Sequence, residues 1–281
     1  MGRKPKSEEA RLITLAEGKT KIVRLIRGTS RVLIESKDDL TAGDGARRIT
    51  VPEKGILATT TTCNCFRLLR KESVPTHYIG RKGPRAFLAN RVKMFPIEIV
   101  ARKIATGSYL RRNPGVSEGK ILNPLVWEFF LKDDARHDPL MLWNEERSCF
   151  AIYDPKKPIG ESSFLSYIRS SDNLDLPSSQ EVNELGGLLF RVFCVLEAAW
   201  KELKVTLVDL KIECGRDASG NIVIADVIDN DSWRIWPGGD KAQMKDKQVF
   251  RDNQNPDPAA LAQIKANYEW AAQATEKFLH D

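Results

Sequence analysis

The sequence lacks the long apolar segments that membrane proteins and secreted precursors need. No apolar run in its 281 residues approaches the roughly 18–20 residues that cross a bilayer. The start, Met1 to Glu9, is basic and polar, and no apolar stretch follows it as in a signal peptide. We therefore expect a cytoplasmic protein that makes no membrane contact.

Cysteine and histidine are also scarce. The five cysteines are odd in number, scattered and mostly within apolar segments, which favours reduced, buried thiols. Cys63 and Cys65 form only a C-x-C pair without a nearby histidine, so a zinc site is not indicated. The three histidines, His77, His137 and His280, show no pairing with a nucleophile, and we expect them at the surface.

The charge pattern favours a small anionic ligand over nucleic acid. Net charge is +6 and the isoelectric point is about 9.0. The basic residues are dispersed and do not alternate with aromatic side chains, as they do on surfaces that stack bases. Dispersed lysine and arginine side chains suit a phosphorylated substrate, and no nucleic-acid partner is expected.

Periodicity predicts an α+β protein with two lobes. Residues 1–10 are expected to be a loose tail, 11–97 a strand-rich N-terminal lobe, and 98–281 an α+β C-terminal lobe. Helices are predicted over 54–71, 181–203 and 258–279. Residues 154–179 are rich in Pro, Gly, Ser and Asp without a clear period, and they are interpreted as a surface insertion.

The most informative segment is a predicted hairpin that starts at Thr206 and ends near Trp236. Period-2 alternation places Asp209, Lys211 and Glu213 on one face of its first strand. The second strand carries Asp226 and Asp229, and Asp231 and Arg234 follow it. Carboxylates that hold Mg²⁺ beside cations that bind polyphosphate would explain this face, and a solvated hairpin face is the alternative.

Four loops add candidate ligand-binding residues. Gly18, Lys19 and Lys21 form a basic turn that is not a Walker A loop. Two glycines flank Asp44 in the segment 41–47, which favours a ligand-binding loop over a plain turn. The segment 102–108 combines arginine with serine, and the segment 129–139 contains a dense group of acids. Either segment alone fits a solvated loop as well as it fits a binding site.

Seven motifs in this order resemble the SAICAR synthetase family, and particularly the synthetase half of the bifunctional animal enzymes. They are EGKTK, SKDDLTAGDGAR, RKIATGS, FLKDDARHDP, LVDLKIECG, ADVIDNDSWRIW and KDKQVFRD. The resemblance runs from about Leu15 to Asp252. We expect no carboxylase half in this chain, which ends at Asp281, and the segment 154–179 departs from the shorter forms of the family.

The resemblance implies a two-lobed fold similar to ATP-grasp enzymes and distantly to protein kinases, with ATP between the lobes. It implies an ATP-dependent ligase of purine biosynthesis that joins L-aspartate to carboxyaminoimidazole ribonucleotide with the cofactors ATP and Mg²⁺. ADP and phosphate leave, and an acyl phosphate is the expected intermediate. A homo-oligomer is compatible with the family.

The resemblance also implies a role for individual residues. Those expected to bind ATP are Gly18, Lys19, Lys21, Met94, Lys211, Glu213 and Asp226, of which Glu213 and Asp226 hold Mg²⁺. Those expected to bind substrate are Asp44, Arg47, Arg102, Ser108, Arg234 and Arg251. Those expected to act in catalysis are Lys211, Asp134, Asp231 and Arg234.

Three other functions compete with this interpretation. A small-molecule kinase could use the same Mg-ATP architecture, since a fold does not fix a function. A basic nucleic-acid-binding module would require clustered cationic stripes, which the sequence does not have. An inactive homologue is disfavoured because every motif residue required for the ligase is present.

Overall fold

The computed structural model describes residues 12–42, 46–169, 174–253 and 256–279. The strands are β1 (Leu12–Glu17), β2 (Lys21–Ile26), β3 (Arg31–Ser36), β4 (Asp39–Ala42), β5 (Arg47–Thr50), β6 (Tyr78–Arg81), β7 (Ala86–Asn90), β8 (Lys93–Met94), β9 (Ile97–Ile104), β10 (Ile121–Leu131), β11 (Leu140–Asn144), β12 (Cys149–Tyr153), β13 (Phe164–Ile168), β14 (Val205–Arg216), β15 (Ile222–Ala225) and β16 (Trp233–Pro237). The helices are α1 (Lys54–Lys71), α2 (Ser108–Arg112), α3 (Ser179–Glu202), α4 (Gln248–Asp252) and α5 (Pro258–Glu276).

The N-terminal part is a five-stranded antiparallel sheet in the order β1-β2-β3-β7-β6. Val32 and Ile34 alternate with half-buried or exposed residues along β3 and are buried. Helix α1 follows at the bounds that the sequence predicted, and its buried Phe66 stacks on Tyr78 of β6. This packing buries one face of the small sheet.

The C-terminal part is built on a nine-stranded sheet in which β9 lies between β10 and β14. The predicted pairing of the hairpin is confirmed, because β14 pairs antiparallel with β15 and Glu213 lies opposite Ala225. The second strand ends at Ala225, however, so Asp226 and Asp229 follow it and do not lie on it as predicted. Leu210, Ile212 and Cys214 belong to the main apolar core, whereas the alternate residues of β14 face a cleft. The sheet therefore carries polar chemistry on one face and the core on the other.

Helix α3 covers the core face of this sheet. Ser178 caps its start, because the Ser178 hydroxyl accepts a hydrogen bond from the Glu181 amide and the Glu181 carboxylate accepts one from the Ser178 amide. Its buried side chains follow a helical period and pack in the main core: Val182, Leu185, Leu188, Leu189, Val192, Phe193, Leu196 and Trp200. The predicted amphipathic helix is confirmed.

Helix α5 packs along α1, although more than 180 residues separate them. Asp257 caps α5 by accepting a hydrogen bond from the Ala260 amide at 2.8 Å, and Pro258 occupies the first turn, as the sequence predicted. Asn64 of α1 donates a hydrogen bond to Thr275 of α5 at 3.3 Å. The lobe boundary predicted at residues 97 and 98 remains a prediction, since the main apolar core takes residues from both sides of it.

Two expectations need correction. The segment 154–179 is not entirely irregular, because it contains β13, which pairs with β12 at the edge of the large sheet. His77 is buried, not exposed, since it packs edge-on against Phe66 and Phe87. Four cysteines are buried and free as expected, and Cys194 is exposed. His280 lies outside the described residues.

No described helix has the length and hydropathy that a membrane crossing would require.

Candidate active site

A cleft of about 980 Å³ lies where the β1–β2 turn faces the polar side of the large sheet. Most of the residues predicted from the sequence line it: Gly18, Lys19, Lys21, Arg102, Ser108, Asp134, Lys211, Glu213, Asp226, Asp231, Arg234 and Arg251. These residues come from segments far apart in sequence. The fold therefore brings most of the predicted site residues together in one cavity.

Lysine and carboxylate side chains alternate at one end of the cleft, which we call the lysine end: Lys21, Lys132, Lys211, Glu213 and Asp226. Lys211 donates a hydrogen bond to Glu213 at 2.9 Å and lies 3.4 Å from Glu98. Lys132 pairs with the same Glu213 carboxylate, and Lys21 pairs with Asp226. Each carboxylate is thus already paired with a lysine from a distant part of the chain.

This arrangement controls the protonation of the lysine end. Burial would raise the pKa of Glu213, but the charges of Lys211, Lys21 and Lys132 outweigh burial and hold that pKa well below its usual value. Burial would lower the pKa of Lys211, but Glu213 and two further carboxylates raise it well above its usual value. At neutral pH Glu213 and Lys211 are therefore both charged.

The β1–β2 turn closes over the lysine end. The Gly18 amide donates a hydrogen bond to the Lys21 carbonyl at 2.9 Å, which fixes a tight turn with Lys19 at its tip. Lys19 reaches Asp134 across the cleft at 2.8 Å, and both side chains are exposed. An exposed pair of this kind adds little stability, so Lys19 can exchange its partner for a ligand at small cost.

Asp226 has a strained backbone at the end of β15. Its φ of 63° is in the left-handed region, which non-glycine residues seldom adopt. Strain at such a position is usually retained where a side chain must point at a ligand. The buried His77 supports this bend, because its Nε2 lies 3.2 Å from the Asp226 carbonyl oxygen.

The opposite end of the cleft, which we call the arginine end, contains Arg102, Ser108, Asp209, Arg234 and Arg251. Arg102 is only 4% exposed and donates to Glu128 and, at 3.0 Å, to Asp209. Arg234 donates to the same Asp209, and Arg102 lies 3.4 Å from the Ser108 hydroxyl. The guanidinium groups are therefore held by buried carboxylates before any ligand arrives.

A glycine and a second arginine complete the arginine end. Gly107 has a φ of 58°, and a Cβ added there would lie 2.6 Å from an Arg234 nitrogen, so glycine is required at this position. Arg112 donates three hydrogen bonds to Glu128 behind Arg102, two from Nη2 at 2.7 and 2.8 Å and one from Nε at 3.2 Å. Arg112, Glu128, Arg102, Asp209 and Arg234 form a continuous chain of alternating charge.

Asp231 links the cleft to helix α5. Its carboxylate accepts a hydrogen bond from the Tyr268 hydroxyl and from Lys247 at 3.2 Å, and Lys54 lies 3.6 Å away. Burial would raise the pKa of Asp231, but Lys247, Lys54 and the tyrosine hydrogen bond together hold it far below its usual value. Asp231 therefore stays ionised at any physiological pH.

Three predicted site residues are not among the cleft lining. Met94 lies on β8, where its backbone pairs with Gly215. Arg47 donates hydrogen bonds to the carbonyls of Phe250, Arg251 and Asn253, so it holds the α4 segment rather than facing the cleft. Asp44 lies outside the described residues. Their ligand-binding roles remain predictions.

The structure also adds residues to which the sequence assigned no role: Glu98, Lys132, Lys247 and Gln248 line the cleft. Lys132 directly precedes Asp133 and Asp134, and Lys247 follows Asp246, so both lie inside motifs already recognised. Their positions within those motifs are the sequence signal that could have identified them as site residues. Glu98 offered none, because only the pairing of β9 with β14 brings it to Lys211.

Comparisons with known proteins agree with this geometry. The family model for SAICAR synthetase matches residues 14–265. A phosphoribosylaminoimidazole-succinocarboxamide synthase of Roseiflexus sp. (strain RS-1) is 44% identical over 95% of this chain and 97% of its own length. The bifunctional phosphoribosylaminoimidazole carboxylase/succinocarboxamide synthetase of Rattus norvegicus is 40% identical over 94% of this chain and 58% of its own length.

Solved structures show the same architecture. A SAICAR synthetase in complex with ADP superposes with a TM-score of 0.72 at 26% identity, covering 90% of this chain and 96% of that one. The enzyme of Ehrlichia chaffeensis has a TM-score of 0.75 at 24% identity, covering 94% and 98%, and it shows the fold. The two-lobed α+β fold predicted from the sequence is confirmed.

The fold and the site define an ATP-dependent carbon–nitrogen ligase of purine biosynthesis. The chain belongs to the SAICAR synthetase family. The predicted likeness to the bifunctional animal enzyme is confirmed by the rat relative, and single-function bacterial relatives reach higher identity.

Proposed function

We propose that ATP binds at the lysine end of the cleft and that carboxyaminoimidazole ribonucleotide, with L-aspartate beside it, binds at the arginine end. The observation that carries this proposal is that both ends share one cleft and one strand. Asp209, Lys211 and Glu213 alternate along β14, so Asp209 organises one end and Glu213 the other. A phosphate donor and a carboxylate acceptor would therefore meet above Lys211.

In this proposal Lys19, Lys21 and Lys211 bind the ATP phosphates, with Gly18 allowing the turn to approach them closely. Lys132 has the same role, because its ammonium already pairs with Glu213. The backbone near Met94 holds the adenine. Lysines that now neutralise carboxylates would exchange them for phosphate oxygens.

Glu213 and Asp226 fit Mg²⁺. No group of three His, Cys, Asp or Glu side chains forms a metal cage within the described part of the chain. Mg²⁺ is commonly held by one or two protein carboxylates, with water and substrate phosphates completing the shell, and these two oxygen donors meet that need. When bound, the ion would supply positive charge to the phosphates during transfer.

At the arginine end, Arg102, Ser108, Arg234 and Arg251 would bind the phosphate or carboxylate of the ribonucleotide. Their guanidinium groups offer paired donors that match either anion. Asp134 and Asp231 line the cleft and would orient the aspartate ammonium. Substrate-binding roles for Asp44 and Arg47, and assembly as a homo-oligomer, belong to the same proposal.

The chemistry then follows in two steps. An oxygen of the ribonucleotide carboxylate attacks the γ-phosphorus of ATP, the bond to the β-phosphate oxygen breaks, and ADP leaves. The aspartate ammonium first loses a proton to solvent, the free amine attacks the resulting acyl carbon and phosphate leaves, and the new amide nitrogen gives its second proton to the departing phosphate. Such transfers need positioning and charge neutralisation rather than a protein nucleophile, which matches a site of lysines, arginines and acids.

The test is an assay of ADP release in which ATP, Mg²⁺, carboxyaminoimidazole ribonucleotide or L-aspartate is omitted in turn. We expect turnover only with all four. Glu213→Gln should lower kcat by about 100-fold or more, the loss typical when an electrostatic transition-state contact is removed. Glu197→Gln is the control, because Glu197 pairs with Lys103 away from the cleft.

ADP release that does not depend on aspartate would indicate either a kinase or a reaction that stalls at the acyl phosphate. Equal activity of Glu213→Gln and Glu197→Gln would contradict the metal site. The acyl phosphate has its own test: positional isotope exchange in ATP when ribonucleotide is present and aspartate is absent. Absence of that exchange would count against the intermediate while leaving the ligase assignment intact.

A further inference from the structure

An acid beside the arginine end, Asp246, has no role in the ligase chemistry described above. Asp246 is 2% exposed and lies directly before Lys247 and helix α4, which carries Arg251. Lys247 and Arg251 line the cleft, whereas Asp246 does not. Because a buried carboxylate is costly, its presence outside the ligand-binding surface is explained best by what it holds in place.

Both oxygens of the Asp246 carboxylate accept hydrogen bonds from backbone amides. Oδ2 accepts from the Ile235 amide of β16 at 3.1 Å, and Oδ1 accepts from the Gln248 amide in the first turn of α4 at 2.8 Å. Ile235 follows Arg234 in the chain, and Gln248 follows Lys247. One side chain thus fixes the backbone beside two cations of the cleft.

The main chain around Asp246 is attached to the same strand. The Lys245 amide donates a hydrogen bond to the Ile235 carbonyl at 3.2 Å, so the segment 245–246 binds both the amide and the carbonyl of Ile235. The Lys245 carbonyl accepts a hydrogen bond from the Asn230 side chain at 2.9 Å. β16 itself pairs with β14. The start of α4 is therefore anchored to the large sheet.

This anchoring decides where the cations near α4 lie. Lys247 reaches the Asp231 carboxylate at 3.2 Å. The Gln248 side-chain oxygen accepts hydrogen bonds from Arg234 of β16 at 3.2 Å and from Arg251 of α4 at 3.5 Å. The two guanidinium groups share this acceptor only while α4 stays on β16. A displacement of about 1 Å can weaken a ligand contact of such groups by up to about 100-fold.

We propose that Asp246 is a positioning residue of this ligase, whose carboxylate holds α4 on β16 and so places Lys247 and Arg251 for the ribonucleotide. This role rests on the proposed assignment of the arginine end to the ribonucleotide. Asp246 should act on ribonucleotide binding and not on ATP binding, because α4 contributes no side chain to the lysine end.

Protonation of Asp246 gives an independent test of this contact. Burial raises the pKa of Asp246 to about 6, although hydrogen bonds from the two amides and the charge of Arg234 act against burial. Asp209 on β14 and Arg251 on α4 are further charged groups that interact with it. Above this pKa the carboxylate accepts from both amides. Below it one oxygen becomes a hydroxyl donor, so the hold on α4 should weaken.

The test compares Asp246→Asn with Asp240→Asn by calorimetric titration of the full chain. Asp240 is the matched control, because its Oδ1 accepts a hydrogen bond from the Ala242 amide at 2.8 Å. It shares this local contact with Asp246 but is exposed and lies outside the cleft. Carboxyaminoimidazole ribonucleotide is titrated with saturating ADP and Mg²⁺, which allow no turnover, and ATP is titrated with Mg²⁺ alone.

Asp246→Asn should raise the Kd for the ribonucleotide by about tenfold or more, because a carboxamide accepts from only one of the two amides. Its Kd for ATP should change by less than about twofold, and Asp240→Asn should leave both constants within about twofold. The ratio of the ribonucleotide Kd of Asp246→Asn to that of the wild type should fall towards unity from about pH 7.5 to about pH 5.5. Titration of the substrate phosphate cancels in this ratio.

Equal ribonucleotide affinity of Asp246→Asn and Asp240→Asn would overturn the proposal. So would a ratio that is independent of pH, or a parallel loss of ATP binding, which would mark Asp246 as a support of the whole fold. A wild type that does not bind the ribonucleotide would overturn the assignment of the arginine end, and the role of Asp246 with it. All of these readouts are independent of ligase activity.

Discussion

The two ends of the cleft use the same kinds of charge in different ways. At the arginine end, Arg102 is 4% exposed and its donors are committed to Glu128 and Asp209. At the lysine end, Lys132 is 41% exposed and pairs with Glu213 through a flexible chain. The arginine end is therefore organised before its ligand arrives, whereas the lysine end holds temporary partners that a metal ion and phosphates would replace.

This difference follows from the side chains themselves. A guanidinium presents a rigid set of donors that two carboxylates can hold in one orientation. An ammonium on a four-carbon stem rotates freely and changes partner at little cost. Under the proposed assignment of the two ends, selection of the ribonucleotide would depend on a fixed surface, and phosphate transfer would depend on side chains that can move.

The largest effect is expected when the carboxylate that holds the arginine end is removed. Glu128→Gln leaves Arg102 and Arg112 buried without their shared acid, and it should lower the free energy of unfolding by about 3–5 kcal/mol. Urea denaturation measures this change. Glu118→Gln removes an exposed pair with Lys241 and should cost less than about 1 kcal/mol.

Similar losses for Glu128→Gln and Glu118→Gln would mean that the arginine end is no more rigid than a surface ion pair.

The second change separates activity from stability at the lysine end. Lys132→Met should alter the free energy of unfolding by less than about 1 kcal/mol, because the Lys132 side chain is 41% exposed and Glu213 keeps its hydrogen bond from Lys211. It should nevertheless lower kcat/KM for ATP by about 10–100-fold, since a cation for the phosphates is lost. Lys103→Met is matched, because Lys103 is 39% exposed and also pairs with a glutamate, Glu197.

Unchanged kinetics in Lys132→Met, or a loss of stability comparable to that of Glu128→Gln, would show that Lys132 is structural.

The smallest effect on the free energy of unfolding is expected for an arginine–carboxylate pair outside the cleft. The Arg216 hydrogen bonds, aided by the Ser178 cap, lower the pKa of Glu181 from 4.5 to about 2. A depressed acid stabilises the fold above its unfolded pKa, so this contribution is present above about pH 4.5 and disappears as the pH falls towards 2. Partial solvation reduces it to about 1–2 kcal/mol.

Glu181→Gln should therefore destabilise the protein at pH 7 and have little effect near pH 2.5, as measured by urea denaturation at both values. A loss that is independent of pH would assign the effect of Glu181 to packing or capping rather than to its charge.

The sequence predicted local structure better than it predicted which side chains contact one another. The bounds of α1 and the polar face of β14 follow from periodicity, which is a property of neighbouring residues. The partners of Arg102 do not, because Glu128 and Asp209 reach it only when β9 is placed between β10 and β14. The segment 102–108 alone fitted a solvated loop equally well for this reason.

Two errors have related causes. β13 is a five-residue strand at a sheet edge, and the Ser- and Gly-rich segment before it hid its alternation. His77 was expected at the surface because its sequence neighbourhood gives no sign of the aromatic side chains that α1 and β7 bring to it. Burial created by long-range packing leaves no local signature.

The packing of α5 on α1 has a consequence for synthesis of the protein. A small apolar cluster joins Leu40 and Val51 to Phe250, Ile264 and Tyr268, so the first lobe borrows part of its interior from the last helix. On the ribosome, that lobe must wait for some 200 further residues before its interior can close. Until then its exposed apolar surface is a target for chaperones, and the emergence of α5 from the ribosome allows this cluster to form.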